Sequence, residues 1–274
     1  MRKYSTVFIL RAAMTIIAVF LFACNVFSIC PISRACASAQ EKTWTKYASY
    51  TTYFNTDEKD RTQNICIAAS LVDGITLQAY GEFSFNQTVG RRTQEAGFRQ
   101  AKIIVNGEYV LGVGGGVCQV STTLYNAALK AGLEVVEFHP HSLRVSYVAP
   151  SRDAMVSTQS DLKLFNPHPI PVRLKTQVSD GCLRVCFYAE ETQVKRFDRF
   201  EISSTVLEEI APPPPIVKDG EKEEIVRSPK NGIKSEAYIE RYRGDILLSR
   251  KRLRVDEYRP VQGILAKKIE NPLH

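Results

Sequence analysis

The stretch GVGGGVCQVSTTLYNAALKAG, residues 112–132, places three consecutive glycines before a cysteine and an amphipathic run. Apolar residues recur after Cys118 at helical spacing, and Gly132 occupies the position of a C-terminal helix cap. We therefore predict a helix whose first turn contains Cys118. The free N–H groups and the positive dipole end of a first turn stabilise a thiolate, so Cys118 is a candidate nucleophile.

The same stretch leaves two interpretations open. In the first, Gly114, Gly115 and Gly116 give another backbone room to approach, and together with Gln119 and Ser121 they line the place where substrate and oxyanion are held. In the second, the cysteine is a small buried residue at a helix start and the glycines serve only a tight turn.

The N-terminus has the features of an export signal. A basic leader with Arg2 and Lys3 precedes an apolar run over residues 12–29, and Ala37-Ser38-Ala39 forms a small-residue cleavage signal. We predict a signal peptide over residues 1–39, although the apolar run is also long enough for a retained membrane anchor. The expected location is extracytoplasmic, secreted or anchored at the cell envelope.

Composition and charge are those of an ordinary globular protein. The 274 residues are 44% hydrophobic and 24% charged. Residues 1–39 contain four basic and no acidic residues, so their removal lowers the formal net charge from +7 to +3. This mild charge argues against a nucleic-acid partner and suits a protein that works beside anionic wall polymers or a membrane surface.

The cysteines do not indicate a disulfide scaffold. Cys66, Cys118, Cys182 and Cys186 remain after removal of the signal. Cys182 and Cys186 fall in one predicted strand, where four residues span about 13 Å, too far for a bridge. We therefore expect Cys118 to be a free thiol.

The remaining pattern predicts helices followed by short strands. Asp60 or Thr62 is expected to cap a first helix, and Asn106-Gly107 predicts a hairpin over residues 102–112. Further strands are predicted at 45–54, 81–86, 133–138, 143–148, 161–165, 172–178 and 182–188. This order indicates an α+β fold in which the cysteine-bearing helix packs on an antiparallel sheet.

A domain boundary is expected near residue 190. Pro212–Pro215 cannot join a central strand, and residues 236–255 alternate as a β hairpin with Gly244-Asp245 at its turn. We predict a first domain over residues 40–190, followed over 191–274 by a proline-interrupted linker and a small all-β module.

A histidine and aspartate cluster follows the cysteine helix. His139 and His141 lie at a strand end, Asp153 precedes the next strand and Asp161 begins another. The order Cys, His, Asp is that of papain-like and transglutaminase-like enzymes, in which a base activates the thiol and a third group orients the base. We prefer His141 over His139 as the base and leave Asp153 and Asp161 open as its partner.

Structural explanations compete with these catalytic roles. A His-Pro-His segment can simply cap a strand, and Asp153 lies in a turn that favours an Asx motif. A metal site of Cys118, His139 and His141 lacks a fourth ligand at recognisable spacing, so we predict no metal and no cofactor.

Four segments resemble the VanW family of exported proteins, which is named for an accessory gene of glycopeptide (vancomycin) resistance. They are FSFNQTVGRRTQEAGFRQA, GVGGGVCQVSTTLYNAALKAGLEVVEFHPHS, YVAPSRDA and DLKLFNPHPIPV. Tyr80 replaces a family proline, and Ser151 replaces a family glycine. From Glu208 onward the chain distantly resembles small five-glycine β modules, with Gly232 and Gly244 in place.

The resemblance implies a bacterial envelope protein whose partner is peptidoglycan or its stem peptides. One hypothesis is a thiol enzyme, an amidase, peptidase or transpeptidase, that performs acyl transfer by hydrolysis or transpeptidation. The alternative is a non-catalytic peptidoglycan-binding or structural envelope protein associated with glycopeptide resistance. The sequence does not indicate an oligomeric state.

Overall fold

The computed structural model describes residues 43–105, 107–194, 197–219 and 223–267. All of them belong to Lys42–His274, one of two compact units of the chain. The signal peptide or anchor predicted over residues 1–39 lies outside the described residues. Within the described ranges, no helix is both long enough and apolar enough to cross a bilayer.

The helices and strands alternate in the first half of the chain, and strands dominate the second half. The helices are α1 (Lys59–Val72), α2 (Phe85–Val89), α3 (Val117–Lys130) and α4 (Glu191–Val194). The strands up to residue 190 are β1 (Trp44–Tyr53), β2 (Thr76–Leu77), β3 (Glu82–Ser84), β4 (Gln100–Val105), β5 (Glu108–Val113), β6 (Glu134–Glu137), β7 (Lys163–Phe165), β8 (Val172–Ser179) and β9 (Cys182–Glu190). The later strands are β10 (Arg199–Ile210), β11 (Ile216–Asp219), β12 (Glu224–Arg227), β13 (Gly232–Arg243), β14 (Ile246–Tyr258) and β15 (Ile264–Lys267).

A four-stranded antiparallel sheet carries the main core. Its order is β1-β9-β8-β2, and α3 packs against β1 and β9 while α1 packs against β8 and α3. The other five strands up to residue 190 form a smaller antiparallel sheet, with the order β3-β7-β6, and the β4–β5 hairpin. The α+β class and the antiparallel sheet are confirmed, whereas a papain-like arrangement stays a prediction.

The helix α3 is buried on nearly all sides, which makes it the centre of the fold. Its polar side chains are therefore paired inside the protein: the Thr123 and Thr52 hydroxyls lie 2.8 Å apart, and Asn126 donates to Arg152 O at 2.7 Å. Gly132, with φ +72°, ends the helix as predicted, because Leu133 N then reaches Ala128 O at 3.0 Å.

Two local predictions are wrong, and the bounds of a third differ from those predicted. The helix α1 begins at Lys59 after Glu58 and has no side-chain cap, so neither Asp60 nor Thr62 caps it. Residues 143–148 form no strand and belong to an irregular connection between β6 and β7. The strand predicted over residues 81–86 ends at Ser84, because the Ser84 hydroxyl accepts a hydrogen bond from Gln87 N and caps α2.

The part of the chain after residue 198 forms two three-stranded sheets. One has the order β10-β13-β14 and the other β11-β15-β12. The predicted hairpin is present, with Arg243 opposite Ile246 across the turn at Gly244-Asp245, and Pro212–Pro215 lie outside the strands. The first sheet packs on α3 through β10, where the Lys130 ammonium lies 2.9 Å from the Glu201 carboxylate.

Candidate active site

Cys118 lies in the first turn of α3, and its thiol is close enough to the His141 imidazole for each group to shift the pKa of the other. The thiol also lies 3.3 Å from Val156 O and is partly buried. His141 comes from the connection between β6 and β7, and its ring is nearly completely buried. The structure therefore brings together the predicted nucleophile and the predicted base, which are 23 positions apart in the printed sequence.

Asp153 holds the imidazole from the opposite side. Its Oδ2 atom lies 2.7 Å from His141 Nδ1 and accepts a hydrogen bond from His141 N at 2.7 Å. Because Nδ1 faces this carboxylate, Nε2 is the ring nitrogen left for the Cys118 thiol. Asp153 is fully buried, so the carboxylate depends on these partners for its charge.

Two residues of β14, Arg254 and Tyr258, complete the surroundings of Asp153. Asp153 Oδ1 accepts hydrogen bonds from Arg254 Nη2 at 2.9 Å and from the Tyr258 hydroxyl at 2.5 Å. Arg254 Nη1 also donates to Asp153 O at 2.7 Å. The sequence pattern did not identify Arg254 and Tyr258 as site residues, because they lie about a hundred positions after Asp153 in a strand with an ordinary alternating pattern.

Aromatic rings hold the Arg254 guanidinium in place. Its central carbon lies 4.8 Å from the ring centre of Phe138 and 5.9 Å from that of Tyr125. Tyr125 is buried in the core. The guanidinium is thus desolvated, stacked and paired with Asp153, which makes it a rigid support for the carboxylate.

The turn before Asp153 keeps the backbone shape that a glycine permits. Ser151 stands where the resembled family has glycine, and it adopts φ +58°, in the left-handed region. Two contacts hold it there: Ser151 N donates to the Tyr258 hydroxyl at 2.7 Å, and the Ser151 and Ser235 hydroxyls lie 2.7 Å apart. The later strands therefore stabilise the turn as well as the carboxylate.

The ionisation of the three groups favours a thiolate–imidazolium pair. Burial opposes the charge of Cys118, but the hydrogen bond and the positive charge of His141 lower the pKa of the thiol below its ordinary value. Burial opposes the charge of His141 as well, but hydrogen bonds to Asp153 and Cys118 raise the pKa of the imidazole to about 9. The pKa of Asp153 falls to about 2 despite burial, because His141 and Arg254 stabilise the carboxylate.

The two alternative candidates lie elsewhere. His139 Nε2 is 3.0 Å from the Glu137 carboxylate and about one third exposed. Asp161 accepts hydrogen bonds from the Ser84 hydroxyl at 2.5 Å and from Asn86 N at 2.8 Å, so its carboxylate anchors α2 rather than the imidazole. The geometry thus distinguishes His141 and Asp153 from His139 and Asp161, a choice that the sequence left open.

The glycines before Cys118 are explained by close packing. A Cβ atom on Gly115 would lie 2.7 Å from Lys102 O in β4, and Gly116 has φ +108° against α1. Gly114 also has a positive φ, of +88°, and a Cβ there would lie 3.1 Å from the Cβ of Arg92. The three glycines let β4, α1 and the start of α3 meet, and they line the same cleft as Cys118.

Gln119 and Ser121 have partners inside the protein. The Gln119 amide donates to the Thr52 hydroxyl at 3.0 Å and accepts from Arg61 Nη2 at 2.6 Å. The Ser121 hydroxyl donates to Ala154 O at 2.6 Å and thereby supports the turn next to Asp153. Gln119 borders the cleft, whereas Ser121 lies in the core.

A cleft of about 1190 Å³ opens in front of Cys118 and His141. Tyr53, 72% exposed, and Tyr109, 49% exposed, lie on its rim, and Tyr147 also lines it. In the described part of the chain, no group of three or more His, Cys, Asp or Glu side chains is arranged to hold a metal ion. The cleft has room for several residues of a peptide in extended form.

Comparison with known proteins agrees with the resemblance read from the sequence. Residues 60–188 match the family model described as "VanW like protein". A protein of Bacillus subtilis (strain 168), "Uncharacterized protein YoaR", is 41% identical over 143 residues, which are 52% of this chain and 47% of the relative. The chain therefore spans about half the length of that curated relative. The chain titled "Crystal structure of HP0197-G5" matches 25% of this chain and 97% of its own length, at 15% identity and a TM-score of 0.14.

Proposed function

We propose that this chain, which carries a VanW-like region at residues 60–188, is an envelope thiol enzyme that performs acyl transfer on peptidoglycan stem peptides. The observation that carries the proposal is the Cys118–His141–Asp153 cluster at the wall of a peptide-sized cleft, in which Asp153 holds the His141 ring and the ring lowers the pKa of the Cys118 thiol. The family resemblance supports the substrate class, and the export signal predicted over residues 1–39 supports the location.

The chemistry begins with attack of the Cys118 thiolate on the carbonyl carbon of a peptide amide. A bond forms between Sγ and that carbon, and the C–N bond breaks as the leaving amine takes a proton from the His141 imidazolium. Asp153 keeps the ring in the tautomer and orientation that this transfer needs. The product of the first half is a thioester on Cys118 and a free amine.

The second half resolves the thioester. His141, now neutral, takes a proton from the attacking water or acceptor amine, and the Cys118 thiolate leaves and regains its imidazolium partner. Water gives a carboxylic acid, as in a peptidase or amidase, and an amine gives a new amide, as in a transpeptidase. The cleft has room for a donor and for an acceptor chain, so both outcomes remain within the proposal.

One first-turn N–H group is suited to hold the oxyanion. The N–H groups of Val117 and Gln119 donate to Gly114 O and Gly116 O. The Cys118 N–H group lies between these two donors in the first turn and would face the charge that develops on the attacked carbonyl oxygen. A donor of this kind contributes about 2.7–4 kcal/mol to transition-state stabilisation in acyl-transfer enzymes.

The test is to incubate the chain starting at Gln40 with purified wall sacculi and with soluble muropeptides, then to identify the products by mass spectrometry. We expect cleaved or newly crosslinked stem peptides, and we expect Cys118→Ser to abolish them. Cys66→Ser is the matched control, because Cys66 is an exposed thiol on α1 and should leave the products unchanged. Retention of the products in Cys118→Ser would refute the mechanism.

The same experiment tests the non-catalytic alternative, for which the exposed Tyr53 and Tyr109 at the cleft are the favourable observation. A binding module would sediment with sacculi, and Tyr53→Ala or Tyr109→Ala would reduce the bound fraction. Sedimentation without any altered muropeptide would favour this alternative over the enzyme.

A further inference from the structure

The wall of the cleft in front of Cys118 carries more positive than negative charge. Its cationic side chains are Arg61, Arg91, Arg92 and Lys102, and its acidic side chain is Glu58. Glu58 lies 3.6 Å from Arg61, so one cation is already paired. The positive charge of the His141 imidazolium is balanced by the Cys118 thiolate and by Asp153. Arg91, Arg92 and Lys102 therefore give the cleft an excess of positive charge.

Arg92 is the most informative of these cations, because it is partly buried beside the nucleophile. Its Nη2 atom donates to the neutral Asn86 amide oxygen at 2.5 Å, and no carboxylate of the described residues lies within 4.0 Å of its guanidinium nitrogens. Burial lowers the pKa of Arg92, and the nearby charges of Cys118 and Asp161 oppose this effect. A desolvated guanidinium with donors to spare is the usual partner of a planar carboxylate.

Arg91 and Lys102 extend this positive surface along the cleft. Both are exposed, and in the described ranges neither side chain forms a hydrogen bond or an ion pair. They come from separate elements, since Arg91 follows α2 and Lys102 lies in β4. Their convergence on the cleft is therefore a property of the fold rather than of one charged stretch of sequence.

We propose that the cleft selects an acyl donor with a free carboxylate close to the attacked carbonyl, bound by Arg92 and attracted by Arg91 and Lys102. This inference rests on the proposed function and names the substrate class of the same site. A peptide with a free C-terminal or acidic side-chain carboxylate fits it, whereas the amidated form of that peptide does not. A cleft lined by one sign of charge also raises the rate of encounter with anionic ligands.

The test compares two alkylating reagents that differ in charge. Iodoacetate carries a carboxylate next to its reacting carbon, and iodoacetamide is its neutral analogue, so the ratio of their rate constants at one thiol reports local attraction of carboxylates. We expect this ratio to be about tenfold higher at Cys118 than at the exposed Cys66 of the same protein, at low salt. Added salt should reduce the difference, because exposed charges are screened.

Single variants then assign the effect to the three cations. Arg92→Gln should reduce the ratio at Cys118 by about threefold or more, and Arg91→Gln and Lys102→Gln should each reduce it by a smaller factor. Division by the iodoacetamide rate removes any change in the ionisation of the thiol. The matched control is Lys251→Gln, which removes an exposed cation of β14 outside the cleft and should leave the ratio unchanged.

The outcome separates this inference from the proposed function, because alkylation needs no turnover of a wall peptide. A ratio at Cys118 that equals or falls below the ratio at Cys66 would overturn the carboxylate proposal, even for an active enzyme. So would three Gln variants that behave like Lys251→Gln. A high ratio that depends on Arg92 would support it, even if the muropeptide experiment found no products.

Discussion

Cys118 depends for its charge on one neighbouring ring. The thiolate of Cys118 and the imidazolium of His141 stabilise each other, and Asp153 stabilises the imidazolium from behind. The pKa of His141 is raised and that of Cys118 is lowered, so the ion pair exists between the lowered thiol pKa and about pH 9. Above that range the imidazolium loses its proton, and below it the thiolate gains one.

The first prediction follows from this range. Iodoacetamide should alkylate Cys118 at a pH well below that needed for Cys66, which is exposed and serves as the internal control. His141→Ala removes the hydrogen bond and the positive charge, so the onset of Cys118 alkylation should move to higher pH, towards that of an ordinary thiol. The measurement is the pH dependence of the rate constant for each thiol. Identical profiles of Cys118 in the parent protein and in His141→Ala would contradict the ion pair.

The strand β14 acts as a support for the connection between β6 and β7, which supplies both His141 and Asp153. Arg254 and Tyr258 are four residues apart in β14, so their side chains face the same side of the strand, and both donate to Asp153 Oδ1. Tyr258 in addition accepts the hydrogen bond from Ser151 N in the turn before Asp153. A connection without regular secondary structure thus gains a defined shape from a neighbouring sheet.

The second prediction tests this support. Tyr258→Phe keeps the ring but leaves the buried Ser151 N–H without its acceptor, so we expect a loss of about 1–3 kcal/mol in the free energy of unfolding. Alkylation of Cys118 near neutral pH should slow as well, because the turn that positions Asp153 against His141 loses the hydrogen bond from Ser151 N. Denaturant unfolding and alkylation rates measure the two effects.

The control for this prediction is Tyr242→Phe. The Tyr242 hydroxyl donates to the Glu240 carboxylate at 2.7 Å on β13, away from the triad. Its removal should change the free energy of unfolding much less than Tyr258→Phe does, because exposed pairs contribute little, and it should leave the alkylation of Cys118 unchanged. Equal effects of the two variants on both measurements would argue against a supporting role of β14.

At the scale of the whole molecule, the later strands and the cysteine helix form a joint structure. The sheet β10-β13-β14 contacts α3 through β10, and Arg254 pairs with Asp153 across the same junction. The predicted boundary near residue 190 therefore separates segments that meet at the buried Asp153 carboxylate. This boundary stays a prediction, and it concerns where a protease can reach the chain.

The third prediction concerns that boundary. Limited proteolysis should cut the chain between about residues 190 and 222, where Pro212–Pro215 form an exposed connection. The two fragments should remain associated under native conditions, because β10 pairs with β13 over most of its length and Arg254 remains bonded to Asp153. Gel filtration without and with denaturant measures this association.

Two outcomes would contradict the third prediction in different ways. Resistance of the whole chain to cleavage in this segment would refute the boundary. Fragments that separate without denaturant, with a fall in Cys118 alkylation, would refute the joint structure. The uncut protein at the same concentration is the control for both measurements.

The local features of this protein follow from the order of its amino acids alone. Helical spacing after Cys118, the left-handed Gly132, the β4–β5 hairpin and the alternation of β1, β8, β9, β13 and β14 were predicted correctly, because each depends on neighbouring residues. The sequence also predicted the candidate residues of the site, because Cys118, His141 and Asp153 follow one another over a short span.

Which of the candidate residues meet depends on the folded chain. His141 and Asp153 meet because the irregular connection between β6 and β7 folds back on itself, whereas His139 and Asp161 have other partners. Arg254 and Tyr258, about a hundred residues away, hold this connection in place through Asp153. No periodic pattern encodes such a contact, because one buried carboxylate must find its donors wherever the packed sheets bring them. The positive cleft has the same origin, as its cations come from elements that are separate in the sequence and adjacent only in the folded chain.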